Sequence, residues 1–468
     1  MTETELSDLI VSASDSLRDV MAAIDAAGEG IGFVTKDEAL VGVVTDGDVR
    51  RAILEGASLS DPVEQVANSD PVTIRDSWDE QERRRHLTEQ NVRSKVGRYD
   101  SLVVPILDAD RVVDFAYVTE NGETLGQEGS RNGGVSHVLV IGGAGYVGSA
   151  LTRNLLDAGY DVRVLDNAIY GTQGIDDLRD REGFEFVEGD MRSIETVVDS
   201  LRGIDAVVHL GALVGDPASG INSQKTLEMN YHSVHTIASI CRYHQINRFI
   251  FASTCSVYGQ SESPETLLSE GDPLNPVSLY AKTKIESERA LLDLADENFS
   301  PTIFRMATIY GYSQRMRFDL VVNILSAKAH EEGVVPIFGG DQYRPNVHVR
   351  DAAQAYVDCL EAPIEHVGGE VFNVGSNDQN YQISEVGEKV AEVFPDAEID
   401  WHREKEDDRS YQVDFSKIRD VLDYEVEETI VSGSREIKEA LERGEFDDYT
   451  DPKYNNYKTL EDDNLLHG

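Results

Sequence analysis

A chain of 468 residues with 40% hydrophobic content is long enough for two or three packed units and too apolar for global disorder. Acidic side chains number 87 against 42 basic ones, and the net charge of −45 repels nucleic acid and anionic lipid, which excludes both as partners. No apolar run reaches the roughly 18 residues of a membrane span.

The opening segment, MTETELSDLI, is acidic and lacks a basic-then-apolar leader. Cys241, Cys255 and Cys359 stand apart, without metal-ligand spacing. No metal site is expected, and the thiols suit a reducing cytoplasm. The acids are dispersed and Arg outnumbers Lys, as on the solvated surface of a halophilic protein.

Residues 1–125 read as one unit. DLIVSA suggests a strand, and SLRDVMAAIDAAG a helix whose Leu17, Val20, Met21 and Ile24 share one face. IGFVT and ALVGVVT follow as strands, and DGDVRRAIL as a helix. A weaker echo comes next: helix-like DEQERRRHLTEQ, then strands LVVPIL and RVVDFAYVT, which suggests an internal duplication. In GVVTDGDVRRAIL, Thr45 and Asp48 stand three apart where strand becomes helix. The segment resembles a CBS-domain pair. That resemblance implies an adenine-nucleotide site in which Thr45 and Asp48 hold the ribose beside a helix N-terminus. The simpler reading is a helix cap. The second half lacks an Asp three beyond Thr119, so at most one intact site is expected. Residues 126–135, GQEGSRNGGV, read as a flexible linker.

Residues 136–468 form the second unit. HVLVI is a buried strand, GGAGYVG a turn, SALTRNLLDAG an amphipathic helix and VRVLDN a second strand, which closes a βαβ unit. Gly142, Gly145 and Gly148 permit the tight turn, close approach to a pyrophosphate and close helix packing. Asp166 ends the second strand, where an acid takes ribose hydroxyls and repels a 2′-phosphate, so NAD is the expected cofactor. FEFVEGDMRS and AVVHLGALVG supply third and fourth strands ending near Asp190 and Leu210–Ala212. RFIFASTCSVYG is a fifth strand that ends in hydroxyl residues. In the following NPVSLYAKTKIESERALL, Tyr280 and Lys284 share a helix face one turn apart. A phenol titrates near 10 in water, and a neighbouring ammonium favours its ionised form, which makes Tyr280 a candidate base and Thr254 its hydroxyl partner.

Taken in order, the glycine turn, Asp166, Asp190, HLGA, STCSVYG and NPVSLYAKTK resemble the extended short-chain dehydrogenase/reductase family, in its sugar-nucleotide epimerase and dehydratase group. The resemblance implies an α/β fold, a Rossmann doubly wound parallel sheet with a small substrate lobe, and a homodimer. It also implies cofactor contacts at Tyr146, Val147, Asn167, Asp190, Met191, Leu210, Gly211 and Ala212, with Gly211 standing for the usual Ala at little steric consequence. Dehydratases of the group carry an Asp–Glu pair where this chain has Cys255 and Ser256, so epimerisation of a nucleotide sugar through a keto intermediate is favoured. A reductase or dehydrogenase, a 4,6-dehydratase and a non-catalytic redox sensor are the alternatives. Arg344, in FGGDQYRPNVHVRD, and Arg409, in DDRSYQVDF, correspond to phosphate-binding positions, where a guanidinium fork suits phosphate oxygens. RMATIYGY puts Thr308 where the family has Asn, and Asn323 is the candidate to compensate.

Overall fold

The computed structural model describes residues 6–27, 30–37, 39–54, 56–69, 71–78, 80–90, 101–119, 124–125, 135–260, 266–296, 298–402 and 410–462. The chain divides into two compact units, Met1–Gly134 and Val135–Gly468. Residues 126–134 of the expected linker lie outside the described residues. No helix among the described residues is long and apolar enough to cross a membrane.

The first unit is built on strands β1 (Ile10–Ser12), β2 (Ile31–Lys36), β3 (Ala39–Thr45), β4 (Ile74–Arg75), β5 (Ser101–Asp108), β6 (Arg111–Thr119) and β7 (Thr124–Leu125). They pair in the order β1-β2-β3-β6-β5-β4, with β7 on β6. β1 runs parallel to β2, which forms a hairpin with β3; β4 runs parallel to β5, which forms a hairpin with β6. The two hairpins meet antiparallel at Ala39 and Arg111. The sheet therefore reads alike from either edge, the duplication of the sequence expressed in strand pairing. The expected first strand is shorter than DLIVSA, because Leu6–Leu9 form a helical turn before Ile10. On the helix Leu17–Ala27, Leu17, Val20 and Ile24 are buried, whereas Met21, at the edge of that stripe, is exposed. Thr45 N–H and Oγ1 both donate to Asp48 Oδ2, at 3.0 and 2.7 Å, and Asp48 N–H returns to Thr45 Oγ1 at 3.3 Å. The pair caps the helix Asp46–Leu54 by holding each other.

The second unit contains β8 (His137–Ile141), β9 (Asp161–Asp166), β10 (Phe184–Glu188), β11 (Ala206–His209), β12 (Arg248–Thr254), β13 (Leu267–Leu268), β14 (Ser300–Met306), β15 (Thr308–Tyr310), β16 (Val334–Phe338), β17 (Tyr343–His348), β18 (Val371–Val374), β19 (Asn380–Gln382), β20 (Glu398–His402) and β21 (Gln412–Val413). Seven of these form one sheet in the order β10-β9-β8-β11-β12-β14-β18, all parallel. Both faces are covered, so the strands are nearly continuous apolar runs. Alternate residues divide between two cores: Val138, Val140, Val162 and Val208 on one face, Leu139, Ile141, Leu165 and Val207 on the other. Strand order reverses between β8 and β11, which opens a crevice at their C-terminal ends. The three-stranded β15-β17-β19 sheet and the β16-β20 pair make the smaller lobe, around Val322, Leu325, Val335, Ile337, Val386 and Val390.

Arg248, buried at the start of β12, donates to the carbonyls of Cys359 and Ala362 at 2.6 and 2.9 Å. It thereby satisfies the C-terminal end of the helix Val349–Glu361 and ties that helix to the sheet. Replacing Arg248 by Ala leaves these carbonyls without donors. The expected loss is about 1–3 kcal/mol for the desolvated acceptors, read as a lower urea midpoint at unchanged m-value.

Candidate active site

The crevice is shaped first by glycine. Gly142 has φ +84°, and a Cβ there would lie 2.7 Å from the Gly211 nitrogen. At Gly148 a Cβ would meet the Gly142 carbonyl oxygen at 2.3 Å, so the helix Tyr146–Asp157 starts hard against the turn. Gly145 differs: its Cβ would meet only the Gly142 oxygen, at 3.2 Å. The backbone is bare there for a ligand, and the helix N-terminus points free N–H groups into the same space. Asp166, at the end of β9, accepts from Ala144 N–H at 3.0 Å and Ala168 N–H at 2.9 Å. Burial raises its pKa against these two bonds.

β12 ends at Thr254, and Ser278 caps the helix Leu279–Leu294 by accepting from Ala281 N–H. The helix brings Lys284 under the strand, where its ammonium donates to Ala252 O at 2.6 Å and lies 5.9 Å from the Tyr280 ring centroid. Lys284 is 2% exposed. Burial lowers its pKa to about 7, and Glu288, one further turn along, acts in the opposite direction. Glu288 is itself fixed by Ser253 and by a two-point pair with Arg305, whose guanidinium also donates to Tyr258 Oη. The residue before Thr254 and the helix bearing Tyr280 are thus joined through one buried carboxylate.

These elements enclose a cleft of about 320 Å³. Its lining includes the expected Gly142, Gly145, Tyr146, Val147, Gly148, Asp166, Asn167, Met191, Leu210, Gly211, Ala212, Thr254, Tyr280, Lys284 and Thr308. Among the described lining residues Asp166 is the only carboxylate.

The remaining expected residues are placed as follows. Asn323 does not face the cleft: its amide accepts from Gly311 N–H and donates to Tyr146 Oη and Arg317 O, so a fully buried side chain has no donor left for substrate. Tyr146 lines the cleft, but its hydroxyl donates to Gly311 O at 2.6 Å. Asp190 turns its carboxylate to Arg192, which holds its pKa low, while Gly189 and Met191 line the cleft. Arg344 is not in the lining; it lies over the ring of Tyr411, which is. A Cβ on Gly211 would come within 2.7 Å of Met191 Sδ, a flexible side chain that can give way. The Cys255 thiol, which stands where dehydratases of the group carry an acid, is fully buried, donates to Arg305 O and has its pKa raised by desolvation. Arg409 lies outside the described residues. Sequence reasoning missed Tyr170, Arg315, Arg317 and Asn456, all in the lining. The one available signal was SQRMRF, two closely spaced arginines in so acidic a chain.

Residues 138–375 match the model of the NAD dependent epimerase/dehydratase family. The chain belongs to that family. It is 31% identical over 274 residues to a UDP-glucose 4-epimerase of Corynebacterium glutamicum, covering 55% of this chain and 80% of that protein. A low-salt glycan biosynthesis protein of Haloferax volcanii, Agl12, is 28% identical over 290 residues, 60% of this chain and 91% of the relative. The Bacillus cereus UDP-glucuronic acid 4-epimerase, solved with UDP-glucuronic acid and NAD, superposes with a TM-score of 0.59 at 26% identity, over 66% of this chain and 99% of its own.

As a family member the chain is an NAD-dependent enzyme with a Rossmann-like parallel sheet. Its own residues fit the dinucleotide: the bare turn at Gly145 admits a pyrophosphate, and the half-buried Asp166 offers a ribose acceptor at the neighbouring strand end. The contrast between glycines is testable. Gly145→Ala should retain the melting temperature and lose NAD affinity about tenfold or more, roughly 1.4 kcal/mol. Gly148→Ala should lower the melting temperature itself, because its methyl overlaps backbone. Equal melting temperatures for the two variants would contradict this division.

Proposed function

We propose that the enzyme inverts a carbon of a nucleotide-linked sugar by transient oxidation to the keto sugar. Support comes chiefly from the hydroxyl, phenol and ammonium of Thr254, Tyr280 and Lys284 lining one cleft wall, with Asp166 the only described carboxylate of that cleft. Dehydration and decarboxylation in this group use a carboxylate beside the hydroxyl residue, where this chain has Cys255 and Ser256. Epimerisation needs none.

In this reading Thr254 orients the reacting sugar hydroxyl and Tyr280 takes its proton. Lys284 favours the ionised phenol through its charge. The cleft would hold NAD so that, when bound, it would supply the hydride-accepting and hydride-returning chemistry at the sugar carbon. Tyr280 then returns the proton to the oxygen, so no net oxidation occurs. Thr308, Arg344 and Arg409 are assigned to the substrate side, with the arginines toward its diphosphate. UDP-sugars are the first candidates, given the UDP-sugar 4-epimerases among its relatives.

Mass spectrometry and chromatography of products from a UDP-, dTDP-, GDP- and CDP-sugar panel, run with NAD in high salt, test the reaction. An isomer of unchanged mass supports epimerisation. A loss of 18 Da indicates the dehydratase, net NADH formation or consumption the dehydrogenase or reductase, and no turnover of any sugar a sensor. Tyr280→Phe should lower kcat by about 10²–10⁴ while NAD remains bound. Glu288→Gln removes the group that supports the Lys284 ammonium, so Lys284 should lose its proton at lower pH. The alkaline limb of kcat/KM should move down accordingly, and an unmoved limb would sink that link.

We infer further that the first unit is a CBS pair, joined through residues 126–135, and that the enzyme works as a homodimer in a halophile's cytoplasm. An adenine nucleotide at Thr45 and Asp48 has to displace the cap these residues form with each other. A shift in melting temperature or activity on adding AMP or ATP supports that site; no change supports the cap alone.

A further inference from the structure

Residues Gly311–Asp319, which follow β15, lie over the first turn of the helix Tyr146–Asp157. Ser313 Oγ donates to Tyr146 O at 2.8 Å and pairs with Ser149 Oγ at 2.9 Å. With the Tyr146 hydroxyl on Gly311 O, this strap is fastened to the helix beside the glycine turn. It carries Arg315 into the cleft. Arg315 is 2% exposed, its guanidinium sits 4.6 Å from the Tyr170 ring centroid, and neither Nε nor Nη2 has a hydrogen-bond partner. Burial lowers its pKa to about 10.

The strap is held on its other side by the end of the chain, beyond the residues matched to the family. Arg317 makes a two-point pair with Asp319, at 2.9 and 2.8 Å, and Asp319 accepts from Asn456 N–H at 3.3 Å. Phe318 N–H donates to Tyr454 O at 2.9 Å, and the Phe318 ring packs edge-on against Phe446, Tyr449 and Tyr454. Leu460 is buried in the same core as Leu213 and Ala218. Asn456, so placed, lines the cleft with its Oδ1 buried and unpartnered, as is the hydroxyl of Tyr170.

Buried polar groups are almost always satisfied, and a buried guanidinium left unmatched is costly. Here the unmatched atoms come from three separate segments and line one cleft. Two guanidinium N–H groups, a phenol and an amide oxygen match anionic oxygens together with a hydroxyl donor, the chemistry of a ribosyl diphosphate. NAD and a nucleotide sugar both contain one. Tyr170 follows the Asp166–Asn167 strand end, and a Cβ on Gly174 would meet the Arg315 Cβ at 2.8 Å and the Ala144 carbonyl oxygen at 3.0 Å, so Gly174 lies between the strap and the glycine turn.

We propose that Arg315 and Asn456 clasp the ribosyl diphosphate of NAD, so that the C-terminal segment holds the dinucleotide as a resident cofactor. A reaction that returns its hydride gains nothing from cofactor exchange, and retention suits it. This rests on NAD as the dinucleotide of the cleft and is independent of which sugar reacts.

The test is calorimetric titration of NAD-stripped full-length protein with NAD, ADP-ribose and UDP, beside thermal melts with and without NAD. Arg315→Met should lose at least tenfold in affinity for both NAD and ADP-ribose, with UDP affinity within twofold of the parent. Its ligand-free melting temperature should equal or exceed the parent's, since a buried unmatched charge is gone. The stabilisation on adding NAD should shrink. Asn456→Ala should show a smaller loss for the same two ligands, and Arg315→Lys, which keeps the charge should Met disrupt folding, an intermediate one. Unchanged NAD affinity in these variants overturns the clasp, whatever happens to melting temperature. A loss confined to UDP overturns it too, by moving Arg315 to the sugar nucleotide. Product formation has no part in these readouts, so a wrong epimerase assignment leaves them intact.

Discussion

The contact between Gly142 and the Leu210–Gly211 backbone is the constraint on which the second unit depends. It brings the ends of β8 and β11 together where strand order reverses, with no space for a single methyl group. The closeness directs the next turn outward, starts the helix at Tyr146 and leaves Gly145 bare toward the cleft. Asp166 then fastens the turn from the other side by accepting from Ala144 N–H. The wall bearing Thr254, Tyr280 and Lys284 is organised separately, around Glu288. That carboxylate links strand end to helix and lies next to the ammonium of Lys284. One wall is thus determined by exclusion of volume and the other by charge.

Much of this was legible in the sequence because each signal sits within one element. The glycine spacing, the acid at the next strand end and the Tyr–Lys step are local patterns, and local geometry carries them into the cleft. The misreadings share a cause. Asn323 looked like a replacement for a missing ligand, yet its partners Gly311, Tyr146 and Arg317 come from a turn, another helix and a strap. Asn456 belongs to no local pattern and Arg315 only to the arginine pair of SQRMRF, and tertiary packing alone puts them in one cleft.

The first unit shows the same limit differently. Its duplication was visible as a weak echo, but not that the two hairpins would join through Ala39 and Arg111 into one sheet with mirrored order. Thr45 and Asp48 were recognisable as a pair, and their mutual hydrogen bonds show that three-residue spacing at a helix start is already satisfied without a ligand.

The near absence of carboxylates from the cleft has a kinetic consequence. The chain carries a net charge of −45, yet among the described residues its cleft holds Lys284, Arg315 and Arg317 against Asp166 alone. A sugar nucleotide approaching this protein meets a repulsive shell before it reaches an attractive interior. Salt shortens the reach of the shell, with a screening length of about 10 Å at 0.1 M and about 3 Å at 1 M. It weakens the buried interior far less. Brine therefore acts as a gatekeeper for encounter: the same ions that would slow an anion's approach to a basic enzyme speed its approach to this one.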